Sequence, residues 1–113
     1  MGLIKKKTAW YVILRALREK VSTFNSSTCS STSMPDRLSQ IASRIKEIQS
    51  WLGFSDEFAE GWIKISTAFA KSVVADKSIN GNDIRTRFPT VFENFLRDDP
   101  DCNKIYETLT EAF

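Results

Sequence analysis

The sequence predicts an all-α fold, a small helical bundle of about five helices around one central helix. Three observations carry this. Apolar residues recur at steps of three and four through most of the chain, the spacing of one helix face. Four glycines and three prolines in 113 residues suit helices with short connections. The third is the stretch 54–74, where Phe58, Ala59, Trp62, Ile63, Ile65, Ala68, Phe69, Ala70, Val73 and Val74, with Gly61, Ser66 and Ser72, sweep roughly 240° of a helical circumference. Only Glu57, Glu60, Lys64, Thr67 and Lys71 form a polar strip, with Glu60 and Lys64 at ion-pair spacing. A helix this apolar has to be wrapped by others.

The length is that of one domain, and 42% apolar with 27% charged residues is ordinary for a globular chain. The net charge of +2 conceals an asymmetry: six basic residues and one acid precede Asp36, and ten basic against thirteen acidic residues follow from it. The expected organisation is a basic amphipathic N-terminal helix in 1–24, a Ser/Thr-rich linker in 25–34 and a helical bundle domain in 35–113.

In the first segment the basic arm Lys5, Lys6 and Lys7 precedes a helix of about 8–24. Its stripe is Trp10, Ile13, Leu14, Leu17, Val21 and Phe24. A secretory signal is not expected, because Arg15 ends the apolar run and Arg18, Glu19 and Lys20 follow. The stripe can pack on the rest of the fold. It can also lie on an anionic membrane, serve as an organellar targeting segment, or bind a partner groove. The linker holds only Asn, Ser, Thr and Cys from Asn25 to Ser33, so it has nothing apolar to bury.

Ser33 as N-cap and Pro35 in the first turn predict a second helix of about 35–52. Its seam is Leu38, Ile41, Ile45, Ile48 and Leu52, closed by Gly53 as C-terminal cap. Ser55 caps the central helix, about 55–76, two or three residues later, which makes the two antiparallel neighbours. Gly61 falls on the apolar arc of that helix and marks a close helix crossing. Asn80-Gly81 reads as a turn, and Asn82 or Asp83 as the cap of the next helix. Pro89 splits that segment into a short turn to about Arg87 and a helix from about Pro89 to Arg97. Asp99 and Pro100 open the last helix, about 100–112, with Cys102, Ile105, Tyr106, Leu109 and Phe113 on its stripe.

Function is narrowed mainly by exclusion. There is no histidine and there are two cysteines, Cys29 and Cys102, so imidazole acid–base work and the usual zinc ligand sets are not expected. Asp76, Ser78, Asn80 and Gly81 superficially follow a calcium loop, but Arg87 stands where the bidentate glutamate belongs. The carboxylates sit at helix starts or on solvent faces, with no cleft implied, so no catalytic site and no cofactor are expected. Specific nucleic-acid binding is not expected either, because Asp56, Glu57 and Glu60 open the one helix placed to recognise a groove.

Trp51-Leu52-Gly53, between two amphipathic helices, resembles the Trp-x-Gly turn of the small helical-hairpin proteins exported by type VII secretion. The resemblance covers about residues 36–75. Tyr106 has Thr110 where that family carries Asp or Glu, and Pro89 and Pro100 forbid its long second helix, so nothing is carried over. Trp51 is expected at the edge of the seam.

The expected function is that of a small cytoplasmic adaptor or regulatory protein acting through helix-mediated contacts, self-associating as a homo-oligomer. Eight Phe and three Trp exceed what so small a body buries easily. The candidate partner surface is Trp10, Leu14, Leu17, Val21 and Trp51. The alternative is a peripheral membrane or organelle-targeted protein using residues 1–24.

Overall fold

The computed structural model describes residues 6–22, 34–76 and 78–111, with the side chains of Lys6, Lys7 and Met34 left aside. Six helices and no strand occur among the described residues: α1 (Lys6–Val21), α2 (Met34–Leu52), α3 (Asp56–Ala75), α4 (Gly81–Thr86), α5 (Phe88–Asp98) and α6 (Pro100–Thr110). The fold is the expected all-α bundle, with one more short helix than the five anticipated. Residues 25–33 of the expected linker, with the Ser33 cap, and Phe24 and Phe113 lie outside the described residues, and Met34 already belongs to α2.

The central helix is α3, which packs against α1, α2, α5 and α6. Phe58, Ala59, Trp62, Ile65, Ser66, Phe69, Ala70 and Val73 are all buried on it. Ser55 caps its start, accepting from the Phe58 N–H at 3.2 Å. Gly53, at φ 78°, takes the left-handed turn that ends α2, and its N–H reaches the Gln49 carbonyl at 2.7 Å. The Gln49 amide then ties the joint down, donating to the Phe54 carbonyl at 3.0 Å and to Asp56 Oδ1 at 2.8 Å. So short and stapled a joint folds α3 back onto α2, whose seam residues Ile41, Ile45 and Ile48 are buried beneath it. Leu38 and Leu52, at the seam ends, are half-buried.

An aromatic chain runs through the core. Phe58 meets Trp62 edge-on at 6.3 Å, Trp62 meets Tyr106 at 5.7 Å, and Tyr106 meets Phe92 at 5.7 Å. Phe69 closes on Phe88, Phe92 and Phe95 at 5.7, 5.3 and 5.3 Å. Each such pair contributes about 0.5–1.5 kcal/mol beyond the area it buries, so the phenylalanines concentrate their stabilisation where α3, α5 and α6 meet.

The structure corrects three local expectations. Asn80-Gly81 is a helix start: the Asn80 side chain accepts from the Asp83 N–H at 2.9 Å while Asp83 accepts from the Asn80 N–H at 3.1 Å, a reciprocal capping box. The Asn–Gly pair looked like a turn because the box partner three residues on is Asp rather than the usual Glu or Gln. Glu60 and Lys64 make no ion pair, whereas Arg15 pairs with Glu19 at 3.8 Å and Arg44 with Glu47 at 3.5 Å, both on the surface. Trp51 leaves the seam edge and is 64% exposed, with the Arg44 guanidinium 5.2 Å from its ring centre.

The first helix docks on the body. Ala9, Ile13, Leu17 and Val21, at strict steps of four, belong to the core at 0–3% exposure. The buried line is rotated by about one residue from the expected stripe, because Ala9 lets the helix approach closely while the bulky Trp10 and Leu14 ride on its flank. The end of α1 is pressed against the start of α4. A Cβ at Gly81 would run into the Ser22 carbonyl, which is backbone and cannot rotate aside. The Gly61 crossing is present too, with α6: a Cβ there would stand 3.0 Å from Leu109 Cδ2. Gly81→Ala is therefore expected to lower stability by about 1–3 kcal/mol in denaturant unfolding, the usual cost of forcing volume into a packed site. An unchanged midpoint would mean that α1 does not meet α4 in this way.

Candidate functional site

Once the Ala9–Ile13–Leu17–Val21 line is committed to the core, the neighbouring face of α1 lies half over α5 and α6 and half over solvent. An open groove of about 560 Å³ results. Trp10, Tyr11 and Leu14 form its α1 wall, with Arg15 and Arg18 at the rim. Phe88, Pro89 and Phe92 of α5 and Tyr106 of α6 form the other wall, with Glu93 at the opposite rim.

Each wall has a local cause. Between α4 and α5 the chain bends at Arg87, which has φ −126° and ψ 27°, and Pro89 occupies the first turn of the new helix where its missing N–H costs nothing. The bend swings Phe88 inward to stack on Phe92 at 5.6 Å and an interplanar angle of 14°. On the α1 side, Trp10 Nε1–H donates to the Tyr106 hydroxyl at 2.7 Å, bridging residues 96 apart in the sequence. This bond fixes the floor of the groove. Tyr11 stands beside it, edge-on to Trp10 at 4.6 Å and 58% exposed. Val12 is the other large outward residue of α1.

Burial raises the Tyr106 pKa above its ordinary 10.0, opposed by the Trp10 hydrogen bond and assisted by the Glu93 charge. Folding thus keeps this phenol protonated to a higher pH than the unfolded chain does. Its contribution to stability is complete below pH 10.0 and falls as pH rises through the raised value.

The expected surface residues divide. Trp10 and Leu14 line the groove, half-buried, whereas Leu17 and Val21 are core residues at 3% and 1% exposure and offer no surface to a partner. The reason is that the stripe is shared between α1's own packing and its flank. Trp51 is on the surface but on α2, outside the groove walls. Lys5 lies outside the described residues, and Lys6 and Lys7 are in the first turn of α1. Sequence reasoning missed Tyr11, Pro89 and the half-buried Tyr106 as groove surface, whereas Phe88 and Phe92, which back the α5 wall, are core residues at 6% and 4% exposure, as their place on the apolar side of the helix implied. Tyr11 sits off the stripe, and the others acquire a common wall only through the packing of α5 and α6.

Elsewhere the chemistry is muted. Burial and the nearby Asp99 push the Cys102 thiol up to about 11, so it stays protonated and unreactive near neutral pH. Asp76 accepts from the backbone and hydroxyl of Ser78 at 2.9 and 2.6 Å, which lowers its pKa and closes the turn after α3. Among the described residues no three His, Cys, Asp or Glu side chains gather as a metal site. No described helix is long and apolar enough to cross a membrane. No protein-family model, curated protein or solved structure matches the chain.

Trp10→Phe removes the donor to Tyr106 while keeping a ring in place. The expected results are a loss of about 1 kcal/mol in unfolding free energy and a tyrosinate titration moved to still higher pH, because the bond that favours the phenolate is gone. An unmoved titration in the ultraviolet would show that the two residues do not meet.

Proposed function

We propose that this is a small non-catalytic adaptor or regulatory protein that seats an amphipathic helix of a partner protein in the groove between α1, α5 and α6. The groove itself carries the reading. It is open, mostly apolar and rimmed by a few charges, the chemistry of helix-in-groove recognition, in which buried side chains supply affinity and rim groups set orientation. Tyr11 and Trp10 supply the rigid amphipathic aromatic area that dominates such contacts. Glu93 is the one carboxylate in the groove, and neither histidine nor thiol joins it, which supports the non-catalytic reading.

A cytoplasmic location goes with this reading. The membrane-peripheral or organellar alternative is weakened by the use α1 makes of its stripe: with Ala9, Ile13, Leu17 and Val21 inside the bundle, Tyr11 and Val12 are the large apolar groups it turns fully outward. An interfacial helix needs a continuous apolar face to sink into lipid, and α1 has spent its own on the core.

A display selection of amphipathic helical peptides on the immobilised full chain tests the proposal. Enriched peptides are expected to bind Tyr11→Glu at least ~10-fold more weakly, and Trp51→Glu, on the exposed end of α2, as well as the wild type. Peptides that bind Tyr11→Glu undiminished would contradict it.

A further inference from the structure

We infer that the helix this groove receives is acidic at one end, its carboxylates laid over Arg15, Arg18 and Arg85 while its apolar side chains lie against Trp10, Tyr11 and Pro89. The inference rests on the reading of the groove as the working surface and adds the chemistry of the partner.

The charges of the groove are sorted along its length. Glu93 is close enough for its charge to act on the Tyr106 hydroxyl, to which Trp10 donates, so the acid stands at the Trp10 end. Arg18 is eight residues further along α1, about 12 Å at the helical rise. Tyr11, Arg15, Arg18 and Ser22 follow one another at steps of four, three and four, which keeps them on one side of the helix. Arg85 of α4 joins this line from outside α1, because its Nη1 donates to Ser22 Oγ at 3.5 Å. Three guanidiniums thus succeed one another toward α4, beyond the exposed Tyr11 ring. Glu19 meets Arg15 at 3.8 Å where both side chains are largely exposed, so solvent screens that contact and it does not cancel the line.

Carboxylates are the groups this line favours. Arg18 is half-buried beside apolar walls, where a charge-assisted hydrogen bond is screened less than in open water. The sequence of α1 holds five basic residues and one acid, so the field along the helix has the same sign as the local contacts. An acid at the Trp10 end would meet Glu93 instead. Opposite signs therefore fit only when the acidic end of the partner lies toward α4, which sets its direction in the groove. A phosphate backbone fits less well: it is charged along its whole length, cannot avoid Glu93 and gains little from walls that are mostly apolar.

The display selection on the full chain tests this when the polar positions of the helical library are free to be Glu, Gln or Lys. Peptides enriched on the wild type are expected to carry Glu in excess at one end and to bind Arg18→Glu at least ~10-fold more weakly. Raising the salt from ~0.05 to ~0.5 M is expected to weaken them at least ~5-fold on the wild type itself. Selection on Arg18→Glu is expected to turn the excess at the same positions to Lys. Far-ultraviolet circular dichroism checks that the variant folds, and the salt series needs no variant. Peptides that lose binding on Tyr11→Glu yet show neither a Glu excess nor salt dependence would overturn the inference and leave the groove as a docking site of another chemistry. Peptides indifferent to Tyr11→Glu, or no enrichment at all, would remove the groove reading and this inference with it. A single-stranded oligothymidylate that binds the wild type more tightly than the enriched peptides, and is lost on Arg18→Glu, would assign the arginines to nucleic acid and overturn the inference as well.

Discussion

The fold depends on covering α3, because eight of its twenty residues are buried and together form one broad face, about 140° of the helix at 3.6 residues per turn. No single neighbour can do this. A helix packs along one stripe, so α2 covers one flank, α5 and α6 cover another with their aromatic rings, and α1 takes what is left. The covering is close enough to leave Trp62 Nε1 and Ser66 Oγ fully buried without hydrogen-bond partners. Each such atom costs about 1–3 kcal/mol, which the surrounding packing offsets.

The role of α1 follows from this constraint, and so does the groove. Had the helix presented a broad apolar face to the body, nothing would remain for a partner. Its inner line is narrow, with Ala9 at one end, and it leaves Trp10, Tyr11 and Leu14 on the flank toward α5 and α6. The Trp10–Tyr106 bond then locks that flank in place. Docking and recognition thus share one helix, so a change that loosened α1 would damage stability and surface together.

Most of the element order was legible in the sequence, because caps and periodicity act locally. Ser55, Gly53 and Asp99 do at their helix ends what their types imply, and the break before Pro89 falls where proline sterics demand it. What could not be read depends on distant parts of the chain. Asn80-Gly81 has turn chemistry, yet its glycine is required by the Ser22 carbonyl almost sixty residues earlier. The stripe of α1 has the same spacing whether it meets its own body or another molecule, so Leu17 and Val21 looked as available as Trp10 and Leu14. The groove was harder still, since Tyr11 breaks the stripe and Pro89 and Tyr106 reach its other wall only through the packing of α5 and α6. A wall made by three helices leaves no mark in any one of them.

The central claim is that α1 belongs to the same cooperative unit as α3. Native-state hydrogen exchange measures this directly, helix by helix. If the claim holds, the amides of residues 13–21 exchange with the same opening free energy and denaturant dependence as those of α3, because releasing α1 uncovers the core and unfolds the whole. Rapid exchange of α1, independent of denaturant while α3 remains protected, would show a helix that only rests on the body and would remove the groove with it.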